Sequence, residues 1–176
     1  MDNNQKTEYF GTLLTIVSAI ADLNNNMSYN LIIAICNIAL FEWPEILSVF
    51  SKIFTTQDDE KSIEMSIKIL RSFLNEIDNS EEITDFHISN LRRHIIDNYS
   101  DQISLIIKNL ILIPHLSADI MDIYSNILSW DFKNDLMNIE LFKIIVYQFL
   151  FNDETFEILV KLLNSLFNYE IRCNNL

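Results

Sequence analysis

The side chains of this sequence with the greatest capacity for chemistry are three histidines, two cysteines and a set of acidic clusters. His87 and His94 lie seven positions apart, so one helix would carry both on one side. A zinc-binding helix of the HExxH type needs histidines at i and i+4 with a glutamate between them, and this spacing does not supply that. His115 stands apart, directly after Pro114. Cys36 and Cys173 belong to no ligand cluster, and Cys36 sits in an apolar run that predicts a core thiol, in keeping with a reducing compartment.

Acid–base hydrolysis by paired carboxylates requires one of them to be raised in pKa by burial or by a neighbour. The acidic residues here gather instead at Asp58-Asp59-Glu60 and along Asp78 to Glu82, stretches that read as solvated loops or as contacts for a basic partner. There is no GxSxG, GxxxxGK[ST] or CxxC, and with the single glycine at Gly11 a glycine-rich phosphate cradle cannot be built. The sequence therefore predicts no catalytic residue, no cofactor-binding residue and no metal ligand. Arg92-Arg93 beside His94 is the densest basic spot, and it reads as surface or inter-helix ion pairing, or as a contact for an acidic or phosphate group. Trp43 and Trp130 each end an apolar run and read as packing between adjacent helices, with an exposed hot spot as the other reading.

The elements that must position these residues are helices. With one glycine and two prolines among 176 residues, the chain lacks the turn formers that a sheet-rich fold requires. At 49% hydrophobic residues, including 12 Phe, it has ample material for a core, which argues against disorder. The patterning predicts a helix over Gln5–Leu23, with Phe10, Leu13, Leu14, Val17, Ile20 and Ala21 on one stripe. Asn24-Asn25-Asn26 ends it, and Ser28 caps the next, Tyr29–Phe41, which is apolar on nearly every side and so expected between neighbours. Pro44 suits the first position of a third helix ending near Phe54.

A fourth helix over Ser62–Ile77 carries Ile63, Ile67, Leu70, Phe73, Leu74 and Ile77 opposite Glu64, Lys68, Arg71 and Asn75. Thr84–Ile113 reads as one long helix or two short ones, bounded by Pro114. Helices over His115–Leu128, Leu136–Leu150 and Asp153–Phe167 follow, the last with Asn152 placed to cap it. Apolar faces this broad are covered by stacking antiparallel pairs into a solenoid, or by a compact bundle. No apolar stretch reaches the ~20 residues of a membrane span, and the polar N-terminus does not read as a signal peptide. A formal charge of −13 repels a phosphate backbone and favours a basic protein surface.

Several segments resemble one family. Ile38-Ala-Leu-Phe-Glu-Trp-Pro-Glu-Ile-Leu-Ser-Val-Phe50 looks like the early HEAT region of the nuclear exportins of the importin-β (karyopherin-β) superfamily. Ile69-Leu-Arg-Ser-Phe-Leu-Asn-Glu-Ile-Asp78 is similar to the helix before the exportins' acidic loop. Arg92-Arg93 with its following apolar helix, and Tyr124-Ser-Asn-Ile-Leu-Ser-Trp-Asp131, resemble later pieces in the same order. The tRNA exportin and the general nuclear-export-signal exportin are the nearest subfamilies, and residues 1–28 carry no clear match.

The resemblance implies an α-α superhelix of HEAT-like antiparallel helix pairs, with an N-terminal helix over residues 1–28 and an exportin-like HEAT-repeat segment over residues 29–176. It implies the N-terminal arch of a transport receptor that binds Ran-GTP, nuclear-pore Phe-Gly repeat proteins and an export cargo (tRNA or protein), in nucleus and cytoplasm. A helical scaffold or adaptor that binds a basic protein without Ran shares the fold expectation. An all-helical enzyme would need convergent polar groups that the sequence does not offer.

Overall fold

In the computed structural model the residues described are 25–41, 60–79, 83–130 and 139–174, with residues 5, 8, 9, 11–13, 15, 16 and 19 ahead of them. All of them are helical or lie in the turns between helices, so the fold class is all-α, as the scarcity of turn formers requires. The helices with described bounds are α1 (Asn25–Phe41), α2 (Glu60–Asn79), α3 (Asp85–Leu110), α4 (Ser117–Ser129), α5 (Ile139–Phe149) and α6 (Asp153–Asn174). The chain forms two compact units, Met1–Ile95 and Ile96–Leu176, and α3 contributes its first part to one and the rest to the other. The Glu42-Trp43-Pro44 segment, the third helix expected up to Phe54 and most of the first helix's apolar stripe lie outside the described residues.

In the first unit, α1 packs against α2. Ile32, Ile35, Cys36, Ala39 and Leu40 are buried on α1, and Ile67, Leu70, Phe73, Leu74 and Ile77 on α2. Both sets recur at helical three- and four-residue steps, and each fully buried aliphatic or aromatic side chain contributes roughly 1.5–3 kcal/mol. The expectation that α1 is buried on nearly every side needs correcting, because Tyr29 and Ile38 are exposed. α1 also starts earlier than expected. Asn25, Asn26 and Ser28 are helical, so the asparagine run does not separate two helices up to Ser28, and Ser28 is not a cap.

α2 runs to Asn79, two residues past the expected end, so Asp78 lies on a helix and not in an acidic loop. Asn79 Nδ2 donates to the Asn75 carbonyl at 2.8 Å, closing that last turn. α3 begins where Thr84 Oγ1 accepts the backbone N–H of His87 at 3.3 Å, the geometry of an N-cap. The stretch expected over Thr84–Ile113 is thus a single helix, and it ends at Leu110. Residues 111–116 then form tight turns, with Ile113 N–H bonded to Leu110 O and Leu116 N–H to Ile113 O, both at 3.0 Å. Ser117 Oγ–H bonds to Pro114 O at 2.9 Å, so α4 starts two residues later than expected.

In the second unit α4 is the central element, with ten of its thirteen residues buried. It packs against α6, and α6 packs against α5. The core is made by Ile103, Ile106, Ile107, Ile111 and Leu116 before α4 or at its start, and by Ile145, Phe149, Leu159, Leu162 and Leu166 after it. Trp130 N–H closes onto Ile127 O at 3.0 Å to end α4, and its side chain is buried, which agrees with the packing role read from the sequence.

Candidate functional site

The residues singled out for chemistry are placed in structural roles. His87 Nε2 lies 2.9 Å from the Leu40 carbonyl and donates to it, tying the start of α3 to the end of α1. His94 is half-buried two turns further along the same helix, and His115 is exposed in the turn after Pro114. Among the described residues no three His, Cys, Asp or Glu side chains are grouped to hold a metal ion. Arg92 Nη2 donates to Asp78 Oδ1 at 2.7 Å, the inter-helix ion pairing foreseen for the basic spot, while Arg93 points to solvent. Of the first acidic cluster, Asp58 and Asp59 lie outside the described residues and Glu60 opens α2.

Cys36 is fully buried, with its Sγ 3.8 Å from the Ile69 carbonyl. Burial, and secondarily the carboxylate of Glu76, push its thiol far above the ordinary range. A thiol held protonated is a poor nucleophile, so Cys36 is a packing residue. Burial also raises Tyr99 above the usual phenol value.

A polar seam between α4 and α6 is absent from the reading of the sequence. Asp122, Ser125 and Asn126 are buried on α4. Lys161 Nζ reaches Asp122 Oδ1 at 2.5 Å and Asn126 Oδ1 at 3.4 Å. One turn on, the hydroxyls of Ser125 and Ser165 meet at 2.7 Å. Positions 122 and 125 on α4 meet 161 and 165 on α6, so the register rises together and the two helices run in the same direction, with α5 returning between them. The available signals were an Asp-x-x-Ser-Asn pattern inside the apolar run Ile120–Leu128 and Lys161 four residues before Ser165.

Lys161 Nζ is engaged by Asp122 and Asn126, and the Ser125 and Ser165 hydroxyls are bonded to each other, so the seam joins the two helices. Unsatisfied buried polar groups are costly, so the pairings favour this one register of α4 on α6.

The other unusual feature is apolar. On α5 and the turn after it, Ile144, Tyr147 and Phe151 are exposed at steps of three and four residues, while Ile145 and Phe149 enter the core. On α6, Phe156, Val160 and Phe167 are exposed beside the buried Thr155, Leu159, Leu162 and Leu166. Tyr147 is 88% and Phe151 91% accessible, close to what an unfolded chain would show. In the sequence, Phe151 falls between two expected helices, and none of these positions stands out.

No protein-family model, curated protein or solved structure matches this chain. Among the described residues no helix is long and apolar enough to cross a membrane.

Proposed function

We propose that the chain is a non-catalytic helical scaffold or adaptor that binds a basic protein partner. The observation that carries this reading is the set of exposed aromatic side chains on α5, its turn and α6, on a chain of net charge −13. Exposed apolar patches of this kind mark interaction surfaces, and the charge selects a cationic partner over nucleic acid. The test is an array of defined peptides of graded charge probed with the whole chain. Retention should rise with positive charge and fall with added salt; retention without charge bias would overturn the proposal.

The exportin-like reading is the narrower form of the same proposal. It receives support from Trp130, buried at the end of α4 where the resemblance places a Trp-containing turn. The common direction of α4 and α6, with α5 between them in the chain, suits corresponding helices of neighbouring antiparallel pairs in a stacked array. On this reading the partners are Ran-GTP, nuclear-pore Phe-Gly repeats and a tRNA or protein cargo, and the chain works in nucleus and cytoplasm. Immobilised Ran loaded with GTP should retain the chain more strongly than Ran loaded with GDP. Equal or absent retention leaves the adaptor without Ran.

A further inference from the structure

No further inference is drawn: the strongest candidate, the stripe of exposed apolar side chains Ile144, Tyr147 and Phe151 along α5 and the turn after it, carries none because nothing in the structure shows what covers it.

Discussion

His87 Nε2 donates a hydrogen bond to the carbonyl of Leu40, the penultimate residue of α1. The last four carbonyls of a helix have no partner within it, so this bond caps α1 from a residue 47 positions away. His87→Phe keeps the ring volume and removes the donor. The expected cost is about 1–2 kcal/mol, read as a lower urea midpoint with an unchanged slope. An unchanged midpoint would mean that water serves the Leu40 carbonyl equally well.

The Lys161–Asp122 pair is asymmetric, and its variants should be too. The Asp122 side chain is 8% exposed and that of Lys161 50%. Lys161→Met removes the cation from a buried carboxylate, whereas Asp122→Asn leaves an ammonium that can turn to water. Because Lys161 is screened by solvent, the lower range applies: a loss of roughly 2 kcal/mol for Lys161→Met and about half of that for Asp122→Asn. Urea unfolding of both variants reads the difference, and equal losses would contradict the burial asymmetry.

Arg92 and Asp78 bridge α3 and α2 closer to the surface. A double-mutant cycle with Arg92→Ala and Asp78→Ala should give a coupling of about 0.5–1 kcal/mol, shrinking as salt rises toward molar concentrations. A coupling that ignores salt would place the pair in a drier environment than its accessibility indicates.

Cys36 makes the fold sensitive to alkali. Its folded pKa is raised by burial and by Glu76, while an unfolded cysteine titrates near 8.5. Below ~8.5 both states keep the proton and the contribution is complete. Above it the unfolded chain sheds a proton that the folded chain retains, so stability falls by up to about 1.4 kcal/mol per pH unit. Tyr99, raised in the same direction, adds to the decline above pH ~10. Urea midpoints between neutrality and pH ~10 should fall steeply for the parent and less steeply for Cys36→Ala. In a Cys173→Ser background, a thiol reagent should label Cys36 only at the rate of opening.

The sequence makes individual helices legible where one face is buried and the other is wet. In α2 the stripe Ile67, Leu70, Phe73, Leu74 and Ile77 enters the core, and Lys68 bonds to Glu64 at 2.6 Å on the opposite side. Its end is not legible in the same way, because the Asp78 carboxylate is met by Arg92 from another helix. Periodicity states which residues are apolar, not what covers them. It gives Tyr147 the same standing as Ile145 one turn of logic away, yet one is exposed and the other buried. The seam fails for a related reason: Asp122 stands out in an apolar run, but Lys161 lies 39 residues later.

The division between Ile95 and Ile96 falls in the middle of α3. A cut there leaves 11 helical residues, Asp85–Ile95, on one piece and 15, Ile96–Leu110, on the other. Isolated helices of this size are marginal in water, at or below the ~12–15 residues where helix formation begins to hold. Each fragment would therefore carry a fraying helical end. A truncation series meant to map activity onto one unit should keep α3 whole in both pieces.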